Sequence, residues 1–322
     1  MAALARRGHE VERFIQRDSE PQISIDTLAG FDVVHVHRLI VNYDDDYVDK
    51  LHEAGVLVSF DNDDDAASVP SELWESLAGD VTEEWIRLVR LEYERSLKLL
   101  PQMDLVTTPS PVLADRFEAA GAQDVCVIDN YLPPEFLRIR PEGRPGFIIG
   151  WHAGREHCLD RDRLGIPQML AEILERHPHV HIVSIGVDLG IESDRYTRVV
   201  GVPLGLLTNH LADFDIGIAP LVDNEFSRAR SSVKVREYAA AGVPWLASAV
   251  GPYEGLGENE GGRLVADGEW LDAVEELIRS PLARARLRRR GKRWTRQNLI
   301  DSNVDLWEDA FATLIDSSRS VA

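Results

Sequence analysis

Two short stretches hold residue types that could do chemistry together. In VLVSFDNDDD (56–65) a β-type run ends in Asp61, Asn62, Asp63, Asp64 and Asp65, four carboxylates within five residues. Like charges at that spacing repel, so the cluster reads as a divalent-metal site, a catalytic group or a solvated loop. In FSRARSSVKVREYAAAG (226–242) a loop carrying Arg230 runs into Ser231 and Ser232, either of which suits a helix N-cap. Lys234 falls in the first turn, and Glu237 lies three residues on, on the same helical face. A helix N-terminus flanked by cations is an anion site. It suits a diphosphate, and the single carboxylate suits a pair of ribose hydroxyls. A surface helix with a capping serine and an i,i+3 ion pair would use the same residues.

The elements that must position these stretches alternate along the chain. FDVVHVH (31–37), GVLVSF (55–60), DLVTT (104–108) and DVCVI (124–128) read as strands, as does HEVERFI (9–15) before them. Helical patterns such as DDYVDKLHEAG and EEWIRLVRLEYERSLKLLPQ lie between, which suits βαβ units and a parallel sheet. YLPPEFLRIRPEGRPG (131–146) breaks the pattern with four prolines and two glycines in 16 residues and reads as an interdomain linker. A second series follows: GFIIGW, HVHIVSIG, TRVVG, DIGIAPL, VPWLASA and GRLVAD as strands, with helices between. Two α/β domains are expected, 1–140 and 146–300, with a terminal helix at about 303–318 packing back on the first. Ligands in such sheets bind outside the carboxyl ends of the strands. The chain opens inside a helix, MAALARRGHEV, without the central strand and glycine-rich turn that begin a doubly wound domain. Losing that strand would expose two sheet edges, so the true start is expected upstream of Met1.

Bulk composition removes several classes. The 322 residues are 44% hydrophobic and 28% charged, ordinary for a globular chain. A formal net charge of -20 argues against nucleic-acid binding, which needs clustered cations. Cys126 and Cys158 are the only cysteines, too few for a disulfide framework or a thiolate zinc site. No apolar run approaches the roughly 20 residues of a membrane span, and the first residues are too polar for a signal peptide. A cytoplasmic enzyme or binding protein is expected.

FSRARSSVKVREYAAAGVPWLAS resembles the donor-site region of GT-B fold glycosyltransferases, the retaining group that includes family 4. The resemblance extends in order through LARRGHEV, FDVVHVH, MDLVTTPSPVLADRFEAAGAQDVCVIDNYLP, FIIGWHAGREHCLD and GGRLVADGEWLDAVEELI. It implies two Rossmann-like, doubly wound domains facing a cleft, with a nucleotide-diphosphate sugar as donor substrate and no resident cofactor. Glu237 matches the second glutamate of the family's Glu-x7-Glu motif, expected on the donor ribose. Arg230, Ser231, Ser232 and Lys234 fall where the diphosphate would sit, and Gly154 and Arg155 in the loop on its phosphate side. Gly201 and Val202 fall where backbone groups meet the nucleobase; Glu254, with Gly255, lies near the sugar-side loop. The first motif glutamate is absent, its position being Ala229, with Glu225 out of register. The chain fits better a subset with F-x-x-x-[KR]-S-x-x-K-x-x-E-Y. Arg155, Lys234 and helix N–H groups would stabilise the departing diphosphate, so transfer of a hexose or deoxyhexose without metal is implied, with retention at the sugar carbon.

On the same resemblance the aspartates sit in the domain opposite the donor. Asp61, Asp63 and Asp64 then become an acceptor-side cluster, Asp63 and Asp64 being the choices to orient or deprotonate an acceptor hydroxyl, and the metal reading is dropped. His35 and His37 are read as alternating along a strand, so only one, His37 nearer the strand end, is expected on the cleft side. His152, His157 and Cys158 lack zinc spacing. The basic run 284–294 could meet anionic lipid at the inner face of a membrane, although acids in EWLDAVEELIRSP could offset it. The acceptor is unassigned. Two further readings stand: a non-catalytic subunit that binds the nucleotide sugar or serves assembly, and a nucleotide-sugar epimerase on the same fold.

Overall fold

The computed structural model describes residues 1–15, 22–38, 44, 46–76, 82–139, 141, 143, 144 and 146–321. Its first sheet holds β1 (Val33–His37), β2 (Leu57–Asp61), β3 (Leu105–Thr108) and β4 (Val125–Val127), parallel and in chain order. Val58 and Phe60 of β2 are both buried in an apolar cluster that takes in Leu113 and Phe117 of the helix Pro111–Ala119. Ser110 caps that helix through the Leu113 N–H, and Pro111 begins it, where a missing N–H costs nothing.

The second sheet is larger. β5 (Phe147–Ala153), β6 (Val180–Gly186), β7 (Tyr196–Val199), β8 (Ile216–Ala219), β9 (Trp245–Ser248) and β10 (Gly262–Val265) form an all-parallel sheet in the order β10-β9-β8-β5-β6-β7. The chain leaves β5 in one direction to β6 and returns on its other side to β8, so β5 and β8 flank a topological switch point. The loops after these two strands open the crevice where such sheets bind ligands. Both sheet faces are covered, and the strands accordingly run as near-continuous apolar segments.

The helix Val233–Ala241 lies across this switch point for identifiable reasons. Tyr238 is fully buried against Gly217 of β8, where an added Cβ would fall 2.8 Å from its ring. Its hydroxyl donates to the Ile218 carbonyl (3.0 Å) and accepts the His152 N–H (2.9 Å), tying helix, β8 and β5 together. The helix ends at Gly242, whose φ of 73° is the left-handed C-cap conformation that favours glycine.

HEVERFI departs from the reading as a strand. Residues 9–15 belong to no ladder among the described residues, and β1 is the edge of its sheet. A strand needs a neighbour for its backbone groups, and this segment is held by side chains instead: Phe14 packs edge-on against Phe31, and His9 meets Glu308 at 2.8 Å. The terminal helix Val304–Val321 packs on this first half, with Trp307 and Phe311 edge-on to His35. The start of the proline-rich segment is packed. Leu132 bridges Leu299 in parallel, and Phe136 is buried beside Leu132 and Ala240; Arg140, Glu142 and Pro145 lie outside the described residues.

Candidate functional site

The start of the helix Val233–Ala241 gathers most of the donor-side residues expected from the sequence. Ser232 occupies the N-cap position but makes no side-chain cap bond, so the first N–H groups are left for another acceptor. Arg230 lies 3.2 Å from Glu156 and over the ring of Phe226. The Lys234 ammonium donates to the His152 carbonyl. Burial lowers it to about 8, although Glu237 and Glu156 pull the other way. Glu237 is buried, its Oε2 3.4 Å from His152 Nδ1. The start of this helix and the loop before it thus place two cations, two hydroxyls and a buried carboxylate at the carboxyl end of the switch point. That set can hold an anionic group by charge and a diol by carboxylate.

Residues that sequence reasoning missed hold this arrangement. Asp160 is buried, accepts the Val222 N–H (2.7 Å) and lies 2.8 Å from Nδ1 of buried His157, which joins the turn after β5 to the loop after β8. Burial pushes Asp160 up to about 7 against the Val222 bond, Arg230 and Lys234, and pushes His157 well below its ordinary value. Nothing in CLDRDR marked Asp160 apart from its neighbours. Tyr238 and His152 were legible only as a motif letter and a loop histidine. Glu156 pairs with Arg230 from the same turn as Arg155, while Arg155 itself is exposed beside Gly154. Gly201, with a φ of 69°, and half-buried Val202 follow β7 at the far edge of the sheet. Exposed Glu254 follows a turn whose Gly251 abuts Arg228, which places that loop beside 225–230.

Ala229 has a physical explanation. Its side chain is 1% exposed and belongs to the apolar cluster of the first sheet, so a glutamate there would be buried among hydrocarbons. Glu225 is exposed and pairs with Arg116 of the opposite half (3.3 Å).

On the first sheet the aspartates separate by role. Asp61 accepts from Thr107 Oγ1 (2.6 Å) and pairs with His37 Nδ1 (2.7 Å). Burial pushes its carboxyl up, but these two bonds prevail and hold it below the usual value; the same bond raises His37. With Nδ1–H given to Asp61, neutral His37 carries its lone pair on Nε2, the arrangement of a general base. Asp63 and Asp64 share Arg38, at 2.7 and 3.1 Å, and Arg38 has a φ of 70°, rare for a side chain of its size. Asp64 is pushed up by burial and by Asp63, against Arg38 and Arg230. Asp65 is structural: it is buried and bound by Arg116, Ser68 and the Tyr93 hydroxyl (2.9 Å). No group of three or more His, Cys, Asp or Glu among the described residues is arranged to hold a metal ion.

Two expectations need correction. His35 and His37 are two residues apart and share one sheet face, pairing in register with Ser59 and Asp61. Both are exposed, and their partners separate them: His35 meets Trp307 and Phe311 of the terminal helix edge-on, whereas His37 pairs with Asp61. The cations of 284–294 are not offset by EWLDAVEELIRSP. Arg286 and Arg290 pair with Glu258, Arg284 donates to helix-end carbonyls and stacks on Phe147, and Arg288 donates to the Gly242 carbonyl. Among the described residues no helix is long and apolar enough to cross a membrane.

With this geometry in view, comparison with solved structures is decisive about architecture. A HepE structure from Anabaena in complex with UDP-glucose superposes with a TM-score of 0.61 at 15% identity, covering 90% of this chain and 80% of the other. An α,α-trehalose 6-phosphate synthase from Burkholderia multivorans gives 0.59 at 15% identity over 92% and 75%. Sucrose-phosphate synthase from Thermosynechococcus elongatus gives 0.56 at 15% over 88% and 75%. The fold is GT-B. Within it, the helix start lies at the carboxyl end of the second sheet and the His37–Asp61 pair at the carboxyl end of the first. No family model matches the chain, and no curated protein does.

Proposed function

We propose that this GT-B chain is a glycosyltransferase that takes a sugar from a nucleotide diphosphate and gives it to an acceptor held against the first sheet. The observation that carries the reading is the uncapped start of Val233–Ala241 with Ser231, Ser232, Arg230 and Lys234 around it and buried Glu237 behind. The diphosphate would take the helix N–H groups and the two cations, and Glu237 the ribose hydroxyls. Preorganised charge aimed at a departing diphosphate is a large catalytic term and does the work a metal ion would otherwise do. The fold neighbour holding UDP-glucose makes uridine the first base to test.

His37, oriented by Asp61, is the group to accept a proton from the acceptor hydroxyl, with Asp63, Asp64 and Arg38 bounding that side. The boundaries 1–140 with 303–318, and 146–300, follow as the acceptor and donor domains. Resemblance favours retention. The His37–Asp61 pair favours a second reading, direct displacement with inversion, because a base on the acceptor is what that path requires; the anomer formed, read by NMR, separates them. The primary test is calorimetric titration with UDP, GDP and dTDP, followed by slow hydrolysis of a panel of nucleotide sugars. Binding with hydrolysis supports a transferase, binding alone a non-catalytic subunit, and no binding of any nucleoside diphosphate removes the reading.

A further inference from the structure

We propose that Asn130 and Arg236 are positioning residues that set the Ser231 and Ser232 hydroxyls as hydrogen-bond donors toward an anion at the start of Val233–Ala241. The inference rests on reading that helix start as a diphosphate site. Arg236 is 6% exposed, and its Nε–H donates to Ser232 Oγ at 3.1 Å. Its other nitrogens donate to Asn298 Oδ1 and to Asp129 Oδ2 (2.6 Å), and the guanidinium lies between the rings of Tyr131 and Trp294. Held on every side, the fork has one orientation. Arginine has donors only, so Ser232 Oγ must accept, and its own O–H is left to give. Ser232 Oγ accepts no cap bond from its own helix backbone, and the Arg236 Nε–H takes that place as its donor. Asn130 repeats the arrangement one residue earlier, its Nδ2 donating to Ser231 Oγ at 3.2 Å.

Asn130, and the groups that hold Arg236, come from the two chain crossings between the halves. Asp129, Asn130 and Tyr131 precede Leu132, and Trp294 and Asn298 precede Leu299. The crossings are joined by Leu132 N–H to the Asn298 carbonyl (3.0 Å) and Ile300 N–H to the Leu132 carbonyl (2.9 Å). The orientation of both hydroxyls thus depends on residues at these crossings.

The test compares whichever of UDP, GDP and dTDP binds best with its parent nucleoside, by calorimetry and competition. Asn130→Ala should weaken the diphosphate about threefold to tenfold, the range of one net hydrogen bond, and leave the nucleoside unchanged. Asn130→Asp should weaken it further, because a carboxylate accepts the Ser231 proton; in a Ser231→Ala background that extra loss should shrink, a coupling a double-mutant cycle reads directly. Asn130→Gln, which keeps an amide donor, should recover part of the affinity. Arg236→Lys keeps the charge and loses the fork, and should repeat the diphosphate-selective loss. The proposal is overturned if the Asn130 variants bind the diphosphate like the parent protein, if nucleoside and diphosphate weaken together, or if Asn130→Asp and Ser231→Ala are additive. Failure of the parent protein to bind any nucleoside diphosphate would instead sink the site itself, and this inference with it.

Discussion

Replacing Lys234 by Met keeps most of the side chain's length and removes its charge and its donor. In the folded chain burial holds this ammonium at about 8, and a diphosphate beside Nζ would favour the charged form. Above that value binding must take up a proton. With the bound form protonated throughout, linkage makes binding about thirtyfold weaker at pH 9.5 than at pH 7. Lys234→Met should bind the diphosphate about tenfold to hundredfold more weakly at pH 7, as for the loss of a charged hydrogen bond, and show no such slope. Turnover of the nucleotide sugar should fall by ~2.7–4 kcal/mol in activation free energy, the guide being loss of one preorganised donor. Unfolding does not imitate the slope. Because the folded value lies below the unfolded 10.5, the unfolded chain binds more protons between about 8 and 10.5, and the contribution of Lys234 to stability rises with pH there. Titration calorimetry across this range at fixed ionic strength is the assay. A parent affinity that is flat with pH, or a variant with the same slope, would refute the placement of Lys234 against the phosphates.

Ala229→Glu, which restores the motif residue, should destabilise by several kcal/mol because it buries a carboxylate in an apolar cluster, and thermal melting should show this with no gain in donor affinity. Asp65→Asn should destabilise in urea unfolding by less than the ~3–5 kcal/mol of a fully buried pair, since Asp65 is buried but its partner Arg116 is 31% exposed. Asp61→Asn should leave stability closer to the parent and move activity instead. Asp61 raises His37, so the rising limb of the pH–rate profile should lie above the ordinary histidine value of 6.5 and shift down in the variant. Asp160→Ala should cost about 1–3 kcal/mol by leaving the Val222 N–H without its acceptor, whereas Asp160→Asn, which can still accept it, should cost less.

The fold was legible because both sheets are built from short apolar runs of the right length, and the inner strands β2, β3, β5, β6, β8 and β9 are mostly buried on both faces, as such runs report. HEVERFI carries the same signal, but a strand also needs a neighbouring backbone, which no local pattern supplies. The helix start at Ser232 was legible from residue types, yet its chemistry was not. A serine at an N-cap position is expected to bond its own helix, and only the structure shows the hydroxyl held by Arg236 instead. Asp160 and Asp65 illustrate the remaining gap: their partners lie 62 and 51 residues away, at Val222 and Arg116, so nothing near them in sequence distinguishes them from exposed aspartates.

Arg230 connects the two sides of the cleft. It pairs with Glu156 in its own half, and its field reaches Asp64 in the other. Burial and Asp63 push Asp64 up while Arg38 and Arg230 hold it down. A diphosphate at the helix start would neutralise Arg230 and bring negative charge toward the same carboxylate. Both effects raise Asp64 further, so binding of the diphosphate should make this carboxylate more basic. The sign is fixed by the order of charges: removing a favourable cation and adding an anion can only disfavour the carboxylate. Carboxyl-carbon NMR of Asp64, assigned with Asp64→Asn, should titrate at higher pH with the nucleoside diphosphate bound than without it. In Arg230→Met the free-state value should already be raised, and the further step on binding should be smaller. A downward shift on binding, or one of equal size in both proteins, would mean that Arg230 does not carry the coupling.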